Sequence, residues 1–262
     1  MVDTLDTSFN TTNLSTLGFE TQMIIKPLMP EQSEVSISIP KVSGTIQISK
    51  KFTKNTLIVI GTLTGTSYDD LITKIEALAA FLYGDTDKEI IFSNQSDRYW
   101  NGQFLEKIDL DKRNTRKAKI ALIFNCNDPF AYDETPDTDD QNITVNGDTY
   151  IIANSGHYYA YPVITITFNQ AQTHIYVENN SIEGNRFDIS KSFETDDELE
   201  IDCKNGTVKL NGSASYAGFG DGGQELAELI LLAIGDNEIE VGSDDATIDI
   251  SINITFRKTY LY

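Results

Sequence analysis

The chain has 262 residues, 40% of them apolar, with 13 Phe and 12 Tyr, which is enough for one large domain or two ordinary ones and excludes disorder along the whole length. Its formal net charge of −20 argues against nucleic acid and anionic membrane as partners. The two cysteines, Cys126 and Cys203, belong to no CxxC pair, so neither a disulfide framework nor a zinc motif is expected, only free buried thiols.

The first fifteen residues have no basic region and no apolar core, and no apolar run reaches 18 residues. Neither a signal peptide nor a membrane span is expected, and synthesis in a cytoplasm is. Val35, Ile37 and Ile39 alternate with Ser36 and Ser38, and Ile46 and Ile48 repeat the period of two after Gly44. Leu57, Ile58, Val59 and Ile60 are apolar on both faces and are followed by Gly61 and Gly65, as in a central strand with a turn behind it. One helix is predicted over 69–83, with Leu71, Ile72, Ile75, Leu78, Ala79 and Leu82 on one face. Ser67 is its candidate cap, Asp69 and Asp70 suit its positive end, and Gly84 is the expected left-handed stop.

Strands follow over 89–92, 98–104 and 117–125. In the last, Ala118, Ile120, Leu122 and Phe124 share a side. A polar hairpin tip is expected over 109–116, carrying Lys112, Arg113 and Arg116. These cations form either a solvated turn or a contact surface for an acidic neighbouring subunit. The strand then runs into FNCNDPFAY. Pro129 has no N–H and pushes Asp128 toward extended backbone, so the ladder must end there. Phe130 and Tyr132 remain to pin the exit path, and Asp128, Pro129, Phe130 and Tyr132 form a candidate interdomain hinge. The run DETPDTDD over 133–140 reads as a linker, and its spacing matches no calcium loop.

Charge supports a boundary there. Through residue 134 there are 14 Lys+Arg and 18 Asp+Glu, and beyond it 6 and 22. The expected domains are therefore 1–134 and 135–262. The second half reads as all β. Residues 163–168 alternate, Leu199, Ile201 and Cys203 point one way, and Asn205-Gly206 marks a hairpin with positive φ at both central residues. Ile248, Ile250, Ile252, Ile254 and Phe256 alternate along a last half-buried strand. Short antiparallel strands at this spacing give a β-sandwich.

Residues 218–223 satisfy GxGxxG and precede a segment, 224–234, that could be helical, but the surroundings are acidic and antiparallel, so a loop is expected rather than a dinucleotide site. The only histidines are His157 and His174, and no GxSxG elbow is present. Neither catalysis nor a cofactor is expected. Tyr99, Trp100, Tyr158, Tyr159, Tyr161, Tyr216 and Phe219 are the aromatics that could stack on sugars, against the plainer reading of core packing. A carbohydrate-binding module attaching to host cell-wall glycans is the alternative function.

An ordered set of segments carries a resemblance over nearly the whole length. In the first half these are LIVIGTLTGTSYDDLITKIEALAAFLYG, EIIFSNQSDRYWNGQF and KAKIALIFNCNDPFAY. In the second they are YPVITIT, DELEIDCKNGTVKLNG, IGDNEIEV and a last strand ending in RKTYLY. With these, the chain resembles the distal tail protein (Dit) family of long-tailed, non-contractile bacteriophages, the siphovirus tail component family. Family members often carry a Pro-Gly-Glu-Asn turn where this chain has Ile234-Gly235-Asp236-Asn237. The resemblance implies a mainly β fold: an N-terminal β-sandwich-type ring domain with one α-helix, then a C-terminal galectin-like β-sandwich. It implies a virion protein at the tail tip. Copies would form a homohexameric ring joining the tail tube protein to the tail-associated or tail-fibre hub protein and to receptor-binding proteins. No catalytic residues come with it.

Overall fold

The computed structural model describes residues 5–38, 43–114, 116–215 and 229–262, and along 106–114 the backbone alone. The chain divides into two compact units, Met1–Glu134 with Tyr260–Tyr262, and Thr135–Thr259. The last three residues, assigned from sequence to the second domain, thus belong with the first unit. No helix among the described residues is long and apolar enough to cross a membrane.

The first unit contains β1 (Thr7–Phe9), β2 (Thr12–Asn13), β3 (Phe19–Ile25), β4 (Glu31–Ser38), β5 (Thr45–Thr64), α1 (Tyr68–Leu82), β6 (Lys88–Phe92), β7 (Gln95–Asn114), β8 (Lys117–Cys126) and β9 (Ala131–Asp133). Pairing runs β2-β1-β6-β7-β8-β5-β3. Strands β5 and β7 have 20 residues each and change partners along their length. The early part of β5 pairs with β4, and its later part with β3 and β8. The start of β7 pairs with β6 and β9, and the rest with β8. These long strands carry the pairing network around a single core, in which Phe19, Leu57, Val59, Trp100, Leu122 and Phe124 meet Leu71, Leu78 and Leu82 of α1. Gly61 leaves no room for a side chain between β5 and β3: a Cβ there would lie 2.5 Å from both the Phe19 ring and the Glu20 carbonyl.

Helix α1 starts as expected. The Ser67 hydroxyl accepts the Asp70 N–H at 3.1 Å, and the Asp70 carboxylate accepts the Thr66 N–H at 2.7 Å. The Thr66 N–H and then the Thr66 hydroxyl, both donating to the carboxylate, favour its ionised form and hold the Asp70 pKa below its usual value. The helix ends differently from expectation. Tyr83 leaves in extended backbone, φ −68° and ψ 129°, so no left-handed stop at Gly84 is used.

Two loops expected from sequence are strands. The polar tip of 109–116 continues β7 to Asn114, with Asp111 opposite Lys119 and Asn114 opposite Lys117. Register shifts on either side of Asp111 break the period of two that would have marked it. The acidic run forms the start of a strand in the second unit, leaving only residues 134–136 as connection.

The second unit comprises β10 (Asp137–Ile143), β11 (Asp148–Asn154), β12 (Val163–Phe168), β13 (Gln172–Asn179), β14 (Arg186–Phe193), β15 (Glu198–Asp202), β16 (Thr207–Leu210), β17 (Ser213–Ala214), β18 (Gly235–Gly242) and β19 (Ile250–Phe256); β20 (Thr259–Tyr260) leads out of it and pairs with β9. One sheet has the order β10-β19-β12-β15-β16-β17 and the other β11-β18-β13-β14. Their facing side chains form one core, with Ile164, Ile166, Ile201 and Ile252 from the first and Ile175, Val177, Ile189 and Val241 from the second. This is an antiparallel sandwich. Strand β10 can be acidic because it is the edge of its sheet. Asp140 accepts from Asn253 at 2.5 Å, and Lys258 pairs with Asp137 at 2.9 Å.

The Asn205-Gly206 hairpin is looser than the two-residue form. Only Gly206 has positive φ (+66°), and the Asp202 carboxylate caps the turn by accepting the N–H groups of Lys204 and Asn205. The GxGxxG stretch and residues 224–228 lie outside the described residues. Residues 229–234 are not helical: they run as a ribbon with one bridge, Leu232 to Ala160. Four buried asparagines hold it. Asn154 donates to the Leu232 carbonyl, Asn179 to that of Leu231 and Asn185 to that of Leu229, while Asn237 accepts the Ala233 N–H at 2.8 Å. A helix would consume those backbone groups internally, so the side-chain partners favour the extended path. Asn237 is the last residue of the altered Ile-Gly-Asp-Asn turn, and Gly235 within it has φ +95°.

Candidate functional site

The residues singled out from sequence fall in separate places. Lys112 and Arg113 lie on β7 near its end, and Arg116 is an exposed residue directly before β8. Asp128, Pro129, Phe130 and Tyr132 all lie in the first unit and are fastened to it. The Tyr132 hydroxyl reaches both Asp128 carboxylate oxygens at 2.8 and 2.9 Å. Asn55 donates to the Pro129 carbonyl at 3.2 Å. The Phe130 ring stands edge-on to Phe52 at 5.6 Å, and Tyr132 lies 5.9 Å from Tyr99. Trp100 is a core residue, 1% exposed, and offers no stacking surface. Tyr158 and Tyr159 meet edge-to-face at 5.4 Å, with Tyr159 exposed. Tyr216 and Phe219 lie outside the described residues.

A cation site in the first unit escaped the sequence reading. The Lys26 ammonium sits over three rings, 5.4 Å from Phe92, 4.9 Å from Trp100 and 4.7 Å from Tyr262, and donates to the Gln95 side-chain carbonyl. Burial, and then the positive charge of Arg98, lower its pKa to about 8. Arg98 itself stacks 3.5 Å over the Tyr260 ring and donates to the Tyr262 backbone oxygen at 3.0 Å. The two cations thus grip the RYW strand and the final Tyr260–Tyr262 together. Both motifs were visible in the sequence, but nothing local indicated that they meet.

The second unit carries a polar cluster on β13, β14 and β18. His174 lies 2.6 Å from Asp188, and Arg186 bonds both Asp188 and Glu178 and stacks on Tyr176 at 3.7 Å. Burial, and then the hydrogen bond to Glu240, push the Tyr176 phenol up to about 12. The nearby Ser243 hydroxyl donates to the His174 backbone carbonyl rather than to its ring, so this cluster contains no nucleophile paired with a base. A second polar feature is a groove of about 300 Å³ on the β10-β19-β12 face, lined by Asp140, Asn142, Thr165, Thr167, Ser251 and Asn253 and lacking aromatics. Among the described residues no group of three or more His, Cys, Asp or Glu is placed to hold a metal.

The exposed apolar surface is concentrated in the first unit. The β4–β5 hairpin exposes Val35, Ile37, Ile46 and Ile48, and the segment leaving β3 exposes Leu28 and Met29. Beside α1 an apolar groove of about 190 Å³ is lined by Ile75, Leu78, Ala79, Leu82, Phe104 and Ile120, among others. Contiguous apolar surface of this kind marks contacts with other proteins.

Comparison with known proteins agrees. The family model described as "Phage tail protein RIFT-related domain" matches residues 12–126, and "Siphovirus-type tail component, C-terminal domain" matches residues 155–260. The two modules and the two-unit β fold define the class, a phage tail component. A distal tail protein of Bacillus phage SPP1 is 31% identical over 147 residues, a match spanning 55% of this chain and 55% of that protein. The crystal structure of SPP1 Dit superimposes with a TM-score of 0.79 at 19% identity, covering 97% of this chain and 98% of that one. A baseplate structure of phage p2 follows with a TM-score of 0.48 and 8% identity. The chain belongs to the family of siphovirus distal tail proteins.

Proposed function

We propose that this chain is the distal tail hub of a long, non-contractile phage tail. It is a structural virion protein whose copies close into a homohexameric ring, joining the tail tube to the tail-tip and receptor-binding proteins. The observation that carries this reading is the pair of tail-component modules in order along one chain. The fold likeness adds support, since the SPP1 structure is described as a paradigm of the hub adsorption apparatus in phages infecting Gram-positive bacteria.

Charge assigns the roles of the units. The second carries most of the −20 net charge, so its copies repel one another, whereas the first is nearly neutral and bears most of the exposed large apolar side chains among the described residues. Ring contacts therefore fall to the first unit, with Lys112, Arg113 and Arg116 as candidate contacts to an acidic neighbour. The segment from Asp128 to Tyr132 anchors the chain just before it passes to the second, galectin-like unit.

The test is the mass of the purified protein in solution across a concentration series. A hexamer of the 29.2 kDa chain, about 175 kDa, is expected. A strict monomer at the highest concentrations, together with failure to join purified tail tubes, would refute the reading.

Glycan attachment by the second unit is a second reading, favoured by the exposed Tyr159, which stands edge-on to the half-buried Tyr158. Titration of host cell-wall glycans against wild type and Tyr159→Ala decides it.

A further inference from the structure

The outward face of the β10-β19-β12-β15 sheet in the second unit is built from short polar side chains. Strand alternation sends Ile164, Ile166, Ile252 and Ile254 into the core, so their neighbours turn outward. The register sets those neighbours in rows across the strands. One row is Asp140, Asn253, Thr165 and Glu200, and the next is Asn142, Ser251, Thr167 and Glu198. Groups along a row are ~4.8 Å apart, and the rows are ~7 Å apart.

A strand face that serves only solubility carries long charged side chains, whose stems lie over the sheet and cover it. Here Thr, Ser and Asn keep their polar heads close to the backbone, and a groove of about 300 Å³ opens above them. Thr165, Thr167, Ser251 and Asn253 are half-buried although they face away from the core, so the surface is recessed.

The groups around the groove are set in place by one another. Asn253 donates to the Asp140 carboxylate at 2.5 Å, the Thr255 hydroxyl donates to the Asn253 oxygen at 3.0 Å, and the Ser251 hydroxyl donates to the Asn142 oxygen at 2.9 Å. Each bond leaves capacity over, because a carboxylate has a second oxygen and a primary amide a second N–H. The Thr165 and Thr167 hydroxyls line the same groove and have no side-chain partner among the described residues. Each can donate and accept.

This chemistry selects its ligand. The charged side chains of the two rows, Asp140, Glu198 and Glu200, are all acidic, and Lys209 on the adjoining β16 pairs with Glu200 at 2.6 Å. A phosphate polymer is repelled, and an apolar ligand finds nothing to bury against. A chain of uncharged sugars presents hydroxyls that both give and take hydrogen bonds. With no aromatic in the groove, recognition falls to those bonds alone, so a single site is weak and copies side by side add through avidity.

We propose that this groove is a binding site for neutral, hydroxyl-rich glycan chains. The proposal rests on the reading of the second unit as glycan-attaching, and moves the site from Tyr159 to the outward face of the sheet.

The experiment is saturation-transfer difference NMR on the full chain, which reads weak binding to a large assembly. The probes are neutral glucose, galactose and N-acetylglucosamine oligosaccharides, with poly(glycerol phosphate) as the anionic comparison. At least one neutral oligosaccharide is expected to give a signal and poly(glycerol phosphate) none. Thr165→Val with Thr167→Val removes both hydroxyls but keeps β-branching, so it should weaken binding about tenfold or more with the urea midpoint unchanged. Ser251→Ala, a smaller change, should weaken it about fivefold. Tyr159→Ala should bind as wild type does. If the double valine variant and Ser251→Ala bind as wild type does, the groove is overturned, and a loss with Tyr159→Ala then leaves the glycan reading standing. An equal signal from poly(glycerol phosphate) overturns the assigned ligand chemistry. A wild type that gives no signal with any neutral oligosaccharide removes both the groove and the glycan reading.

Discussion

Replacing Asn237 by Ala tests the idea that buried asparagines, rather than helix propensity, set the path of 229–234. Asn237 is fully buried. Its side-chain oxygen accepts the Ala233 N–H at 2.8 Å and the Asn179 amide at 2.9 Å, and its nitrogen donates to the carbonyls of Ala233 and Gly235 at 2.9 and 3.0 Å. Asn179 keeps a second acceptor, the Leu231 carbonyl. The Ala233 N–H has no comparable substitute. Leaving that group unsatisfied costs about 1–3 kcal/mol, and the lost bonds to the carbonyls add about 1 kcal/mol more, so about 3 kcal/mol is expected. With a urea dependence of about 2 kcal/mol per molar, the unfolding midpoint of the second unit falls by ~1.5 M. Far-UV circular dichroism reads this transition. The single tryptophan, Trp100, lies in the first unit, so its fluorescence is a built-in control expected to change little. A loss below about 1 kcal/mol, the ordinary cost of one average hydrogen bond, would refute the reasoning. Asn237→Asp is expected to cost at least as much, because it turns a donor facing three carbonyls into an acceptor.

Lys26 gives a pH signature. Its folded pKa of about 8 lies below its ordinary value of 10.5, so between these the unfolded chain binds more protons. The Lys26 contribution to stability therefore rises with pH through that window and is lost below about 8; Lys26→Met should flatten the rise in urea midpoint followed by Trp100 fluorescence. Burial pushes both thiols up to about 12, so neither Cys126 nor Cys203 should react with a thiol reagent at pH 8 until the protein is unfolded, when both should; rapid labelling of the native protein would contradict their burial. Ser67→Ala removes the α1 cap and is expected to destabilise the first unit by about 1 kcal/mol, measured by the same fluorescence transition.

The sequence by itself determined the elements whose pattern is local. Ala118, Ile120, Leu122 and Phe124 in β8, and Ile250, Ile252, Ile254 and Phe256 in β19, are buried on one side as their alternation requires. Helix α1 and its Ser67 cap were equally legible, because a helix is specified by residues three and four apart. The ordered motifs were enough for the family. Tertiary structure decided what depends on partners distant in sequence. The acidic run could become strand β10 only because β19 lies beside it, more than 100 residues later, and supplies its ladder. Trp100 could have stacked on a ligand or packed in the core, and the strands around it decide for the core. The Lys26 cage joins residues from three distant segments, and the asparagines that hold 229–234 come from four strands or strand ends. A strand's pattern states that one face must be covered. It does not state by what: Val35 and Ile37 of β4 and Ile46 and Ile48 of β5 alternate as a half-buried ribbon would, yet no cover for them lies among the described residues.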